Sequence, residues 1–170
     1  MTPEELQSFQ EKDVRYGTLS FAGADGRPDA RVFNIGYYQG CYYLHCARRV
    51  GEKLKYMVSG IPVCLSMYKE SDRVGEDALC FHKSVLVYGR LERMDDDPAL
   101  FEEMWNGVTA MCEQAGTSYK ARRERLEKSI KGIAVFRVVP EETVGKIVVF
   151  TSLPSSPTLR MDWKKGRIVE

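Results

Sequence analysis

Residues 32–60, VFNIGYYQGCYYLHCARRVGEKLKYMVSG, decide the fold. Val32–Tyr37 and Cys41–His45 are rich in aromatic and β-branched residues, the composition that fits a pleated, half-buried surface. Gln39-Gly40 between them supplies a turn, so the two runs predict a β-hairpin. The second strand leads through Cys46-Ala47-Arg48-Arg49 into a predicted helix over 50–58, with Val50, Leu54, Met57 and Val58 on one face. Lys53 and Lys55 fall off that face. A helix start has N–H groups without intrahelical partners and carries partial positive charge, so a first turn holding Gly51 and Lys53 suits a phosphate or carboxylate. The same residues also read as an amphipathic surface helix with solvated lysines.

Before this stretch, Thr2-Pro3-Glu4-Glu5 combines an N-cap hydroxyl, a proline at the first helical position and a glutamate at the third, which predicts a helix over 3–13. Tyr16–Ala22 alternates as a strand, and Asp25-Gly26 turns it into a second strand over 29–37. After the stretch, Pro62 forces extended backbone into a strand over 63–68, and 69–77 is a polar loop. Leu79–Met94 is the longest strand candidate, apolar on both faces and therefore central. Asp97-Pro98 opens a helix whose Leu100, Phe101, Met104, Trp105, Val108, Met111, Cys112 and Ala115 form one apolar stripe for packing. A basic, exposed helix is expected over 118–131. Strands follow over 133–139 and 143–150, joined by a turn at Pro140-Glu141-Glu142. The tail from Thr151 lacks periodicity.

Seven strands joined mostly by short turns, with helices inserted after the third and fifth, predict a mainly β protein: an antiparallel barrel with peripheral helices. One domain over 1–150 and a tail over 151–170 are expected; 170 residues suffice to bury about two-thirds of the unfolded surface. The 25 basic and 24 acidic residues nearly cancel, so neither nucleic acid nor an anionic membrane is an expected partner. No apolar run approaches the roughly 20 residues of a membrane span. The polar start MTPEELQSFQEKD is unlike a signal sequence, and a cytoplasmic location is expected. Cys41, Cys46, Cys64, Cys80 and Cys112 are odd in number and suit reduced, mostly buried thiols.

Several segments in order then carry a family resemblance: Gly17-Thr18-Leu19-Ser20 with Asp25-Gly26-Arg27-Pro28; Val32-Phe33-Asn34; Tyr43-Leu44-His45-Cys46-Ala47 with Gly51 and Lys53-Leu54; Lys83-Ser84-Val85-Leu86-Val87-Tyr88-Gly89-Arg90; and Gly132–Val138 with Gly145-Lys146. Between Arg15 and Lys146 the chain resembles the flavin-binding split-barrel proteins of the pyridoxamine 5′-phosphate oxidase-like superfamily, in the branch with nitroimidazole-resistance proteins. The resemblance implies a split β-barrel homodimer with flavin mononucleotide (FMN) in a groove between subunits. It implies that Val32, Phe33 and Asn34 run along the isoalloxazine, with His45, Cys46 and Ala47 beside the ribityl chain and phosphate. Lys53 near Gly51 would pair with the phosphate, and Ser84 would supply a hydroxyl. A dianion needs a cation and N–H donors, so the physics of the junction agrees.

The implied activity is an oxidoreductase that passes electrons from a reduced nicotinamide to a small acceptor such as a nitroaromatic or quinone. His45 is a candidate for proton transfer, or only a cofactor-side hydrogen-bonding group. The arginine-rich C-terminal segment of true pyridoxamine phosphate oxidases is missing; Trp163-Lys164-Lys165-Gly166-Arg167 is a faint echo, which argues against vitamin B6 oxidation. A second reading is flavin or haem binding without turnover, with His45 or His82 as the imidazole ligand. A metal site from Cys41, His45, Cys46, Cys80 and His82 is disfavoured, because adjacent strand residues point to opposite faces.

Overall fold

The computed structural model describes residues 1–23, 25–48, 52–70, 78–116, 124, 127–128, 130–151, 160–162 and 167–169. Its main sheet is built from β1 (Tyr16–Ala22), β2 (Pro28–Asn34), β3 (Gly36–Tyr38), β4 (Cys41–Ala47), β5 (Pro62–Glu70), β6 (Ala78–Arg93) and β7 (Ile133–Thr151). The order is β2-β1-β5-β6-β7-β4-β3, and each pairing is antiparallel. The sheet curls so that Cα atoms of β2 and β4 come within 8 Å, giving the expected split barrel.

The predicted strand over 29–37 divides at Ile35. Residues 28–34 pair with β1 at one edge of the sheet, whereas 36–38 pair with β4 at the other. One sequence run thus supplies both edges, and the buried Ile35 between them, its N–H donating to the Arg15 carbonyl at 3.0 Å, closes the curl.

Strand pairing also overrides the turn expected at Pro140. Residues 133–151 form one long strand, and Glu141 is the extra residue of a bulge opposite Tyr88 and Gly89. Proline is tolerated there because a bulge does not require its missing N–H. Gly89 is needed too: a Cβ on it would lie 2.1 Å from the Val139 carbonyl oxygen.

The helix predicted over 3–13 is α-helical only over Pro3–Ser8 (α1), closed by the Thr2/Glu5 capping box. A wider π-helical turn over Phe9–Asp13 follows and buries Phe9 and Gln10. The helix predicted over 50–58 contracts to one 3-10 turn, Glu52–Lys55, while Val50 and Gly51 lie outside the described residues. Most of the helix predicted over 118–131 also lies outside them. In the tail, β8 (Arg160–Asp162) and β9 (Arg167–Val169) pair as a separate ribbon, which the missing periodicity had not signalled.

Two apolar clusters hold the fold. Leu19, Phe33, Tyr42, Leu44, Leu65, Val87 and Phe136 fill the barrel. Tyr43, Met94, Met104, Val108, Met111 and Val135 join the outer face of β4 and β7 to α2 (Phe101–Gln114). The predicted stripe of α2 holds at Met104, Val108, Met111 and Cys112, but Phe101 is exposed and Gly107 takes a buried place. Gln114 also covers the edge strand β3. The Tyr37 N–H donates to its Oε1 at 2.9 Å, and its Nε2 donates to the Tyr37 carbonyl at 3.2 Å.

Candidate functional site

The 3-10 turn carrying Lys53 sits against the first half of β2. The Lys53 ammonium lies 5.5 Å from the centre of the Phe33 ring, a cation–π contact, and the lysine is half-buried. Phe33 points into the barrel and is 5% exposed. Cys46, on β4, is also buried and close enough to Lys53 to respond to its charge. Burial pushes the thiol pKa up, and the ammonium opposes that rise without cancelling it. A protonated, buried thiol packs as a small apolar group rather than serving as a nucleophile. Phe33, Cys46 and Lys53 are therefore brought together.

Beside them opens a cleft of about 510 Å³, lined by Asp25, Arg27, Asp29, Arg31, Glu52 and Lys53 among others. Arg27 pairs with Asp25 at 3.5 Å, Arg31 with Asp29 at 2.9 Å, and Glu52 with Lys55 at 2.8 Å. Lys53 has no carboxylate partner among the described residues. A cation left without an internal counter-charge on a cleft wall is a natural place for an anion. Arg31 was missed in the sequence, although period-two alternation already places it on the same face as Phe33. The helix start expected around Gly51 contributes less than foreseen, because a single 3-10 turn aligns few peptide dipoles.

Val32 and Asn34 alternate to the outward face of the sheet, where Val32 is 71% exposed. β2 is an edge strand, so backbone groups on its open side have no ladder partner. Ser84 also faces outward, but its partners are Tyr68 and Lys146. Three strand spacings separate β6 from β2, about 14 Å. Within one chain Ser84 is thus not brought to Lys53. Between them lies an outward surface with Val32, Tyr68, Tyr88 and Val144 all exposed.

His45 and Cys46 point to opposite faces of β4. His45 is half-buried on the side of Tyr43 and α2, away from Phe33 and Cys46; Ala47 ends the strand, exposed and paired with Ile133. The His82 ring stands 5.4 Å from that of Tyr68, centre to centre. Among the described residues, no three His, Cys, Asp or Glu side chains converge as metal ligands.

A second charged cluster was not legible in the sequence. The Asp95 side chain is 2% exposed and accepts from Arg93 Nε at 3.1 Å, from the Val135 N–H at 3.0 Å and from Arg48 Nη2. Burial alone would raise its pKa, but the bonds from Arg93, Val135 and Arg48 outweigh that and hold it below the ordinary carboxylate value. These partners come from just after β4, from the end of β6 and from β7, so no local motif announces the set.

A sequence model of the pyridoxamine 5′-phosphate oxidase family matches residues 4–147. The chain belongs to this family. Solved structures with the family's fold include an FAD-binding protein from Mesorhizobium loti, with TM-score 0.62 and 16% identity over 87% of this chain and 96% of that one. A candidate 5-nitroimidazole antibiotic resistance protein from Bacteroides thetaiotaomicron gives TM-score 0.61 and 17% identity over 85% and 83%. The haem storage protein of Vibrio cholerae gives 0.58 and 16% over 86% and 93%. At such identities these likenesses speak to the fold. No curated protein matches the chain. No helix among the described residues is long and apolar enough to cross a membrane.

Proposed function

We propose that this member of the pyridoxamine 5′-phosphate oxidase family is a homodimeric FMN-dependent oxidoreductase, taking electrons from a reduced nicotinamide and giving them to a small acceptor such as a nitroaromatic or quinone. The observation that carries this reading is Lys53: a half-buried lysine with its ammonium beside the Phe33 ring, on the wall of a cleft, with no carboxylate partner among the described residues. The fit to the cofactor is good in charge and in hydrogen bonding. Lys53 would hold the phosphate, and the open edge of β2 at Val32, Phe33 and Asn34 offers backbone donors and acceptors to a heterocycle's polar rim. When bound, a flavin accepts and donates electrons itself, so the protein need only bind, orient and shield it.

What supports the homodimer is what one subunit lacks. Ser84 lies three strands from β2, and an exposed apolar sheet face lies between. A second copy packed on that face would cover Val32, Tyr88 and Val144 and bring its own Ser84 toward the first copy's β2. Light scattering is expected to report twice the chain mass; a monomer at micromolar concentration would contradict the shared groove.

The direct test is optical. The purified protein is expected to be yellow, or to take up FMN on titration, and Lys53→Ala should bind it more weakly. A colourless protein that takes up no FMN removes the reading, and unchanged affinity in the variant moves the phosphate elsewhere. Haem is the second reading, for one observation: His45 is half-buried on the face of β4 away from the phosphate cleft. A Soret band on haem titration that is lost in His45→Ala would favour it; an unchanged band would remove His45 as the ligand.

A further inference from the structure

A hollow of about 320 Å³ opens where the first turns of α2 face the chain just after β4, lined by Arg48, Asp95, Phe101, Met104, Trp105 and Lys131. It shares no residue with the Lys53 cleft. Nor does it draw on the outward face with Val32, Tyr68, Tyr88 and Val144, because α2 packs on β3 and β4, at the other end of the strand order from β2.

One wall is apolar. Phe101, Met104 and Trp105 stand at i, i+3 and i+4, the spacing that puts side chains on one helix face. Met104 belongs to the core and fixes the wall, whereas Phe101 is 41% exposed at the rim. The other wall is cationic. The Arg48 N–H donates to the Gly132 carbonyl at 2.8 Å, which holds Lys131 beside the arginine. Lys131 is exposed and has no carboxylate partner among the described residues. Of the Arg48 side-chain nitrogens only Nη2 is engaged, by the Asp95 carboxylate and carbonyl and, at 3.6 Å, by Asp96. Nε is buried without an acceptor, and Nη1 has none among the described residues.

The nearby acids are already met. Asp95 is the one carboxylate of the lining, and Arg93, the Val135 N–H and Arg48 bind its oxygens. Glu102 and Glu103 of α2 do not line the hollow, and Glu103 is held by Tyr43 and Arg137. Positive charge is thus in excess on one side of an aromatic wall.

We infer that this hollow binds a small aromatic monocarboxylate, with its ring against Trp105 and Phe101 and its carboxylate on Lys131 and Arg48 Nη1. A carboxylate matches the planar edge of a guanidinium, and an aromatic ring gives the apolar wall an equally flat partner. A dianionic phosphate fits worse, because its second charge would have to be desolvated against a largely apolar lining. The site stands apart from the flavin cleft and does not rest on the flavin reading.

The experiment uses the full chain with benzoate as probe. Trp105 and Trp163 are its two tryptophans, so Trp163→Phe leaves Trp105 as the sole indole reporter. Benzoate at millimolar concentration is expected to change Trp105 emission and to give a saturable isothermal titration. Benzamide, of the same shape without the charge, should bind about tenfold more weakly, as should the Arg48→Lys variant toward benzoate. Lys131→Gln, a change at an exposed position, should lose about threefold. An unshifted urea midpoint in Lys131→Gln excludes unfolding as the cause there, should Arg48→Lys disturb the Asp95 cluster. Lys53→Ala should leave benzoate affinity unchanged. No saturable response, benzamide binding as tightly as benzoate, or inorganic phosphate displacing benzoate at equal concentration would each overturn the assignment. So would affinity that falls in Lys53→Ala and holds in Lys131→Gln, which would put the probe in the flavin cleft instead.

Discussion

The Asp95 cluster and the Lys53 cleft are both gatherings of charge at the rim of one barrel, and they are built on opposite plans. Asp95 is almost fully withdrawn from water, and two guanidiniums and a backbone N–H from three separate parts of the chain meet it. Lys53 has a Phe33 ring and open space beside it. A buried charge without partners would be driven toward its neutral form, so the first arrangement persists only because it is satisfied within the fold. The second leaves an ammonium's capacity unused, which costs little at a half-exposed position and leaves it free for a ligand. Satisfaction marks structure here, and its absence at Lys53 is what supports the proposed phosphate site.

Breaking the satisfied cluster should have the largest effect. Asp95→Ala strips Arg48 and Arg93 of their buried carboxylate, leaves them only the exposed Asp96, at 3.6 and 2.9 Å, and leaves the Val135 N–H unpaired; it is expected to cost about 3–5 kcal/mol, as for removal of one partner from a buried pair. Urea denaturation measures it; a loss comparable to a surface change would show that the cluster is not structural. Lys53→Ala should invert the pattern. Stability should stay within about 0.5 kcal/mol of the parent, while FMN affinity falls by about 1.5–3 kcal/mol, the worth of a charge-assisted contact. Equal losses in both measurements would erase the distinction between the two regions.

A third change probes packing where the structural region meets α2. Alanine ordinarily favours a helix over glycine by about 1 kcal/mol. At Gly107, however, a Cβ would lie 2.1 Å from the Tyr43 ring. Gly107→Ala is therefore expected to destabilise, by about 1–3 kcal/mol for overpacking, and a higher melting temperature would show that α2 can lift away. The smallest effect is a pH dependence. The folded pKa of Asp95 lies below its unfolded value of about 3.9. Its contribution is complete above that value and is lost as pH falls through the folded pKa. The parent's denaturation midpoint should drop across this acid window more steeply than that of Asp95→Asn; parallel curves would place the acid sensitivity elsewhere.

Much of this was legible in the residues. Alternation along Tyr16–Ala22 and the turns at Asp25-Gly26 and Gln39-Gly40 are local signals, and the strands appear where those signals stand. Phe33 and Lys53 were named as site residues from the family resemblance, and the structure places them in contact. Pro140 misled, because a turn residue and a bulge residue look alike until the partner strand is known. The helix expected over 50–58 misled as well: the described part holds one 3-10 turn, Glu52–Lys55, followed by the buried Met57, while Val50 and Gly51 lie outside the described residues.

What the chain's own order of residues determined is the set of strands, their hydrophobic faces and the antiparallel class, since these rest on contacts between near neighbours. Only the folded arrangement decided that one run of sequence forms both edges of the sheet, that Asp95 collects two guanidiniums and a backbone N–H from separate parts of the chain, and that Lys53 lacks a carboxylate partner among the described residues. Each of those facts depends on groups far apart along the chain. Pairing of charges in particular is set by distance in space, which no local pattern of residues encodes.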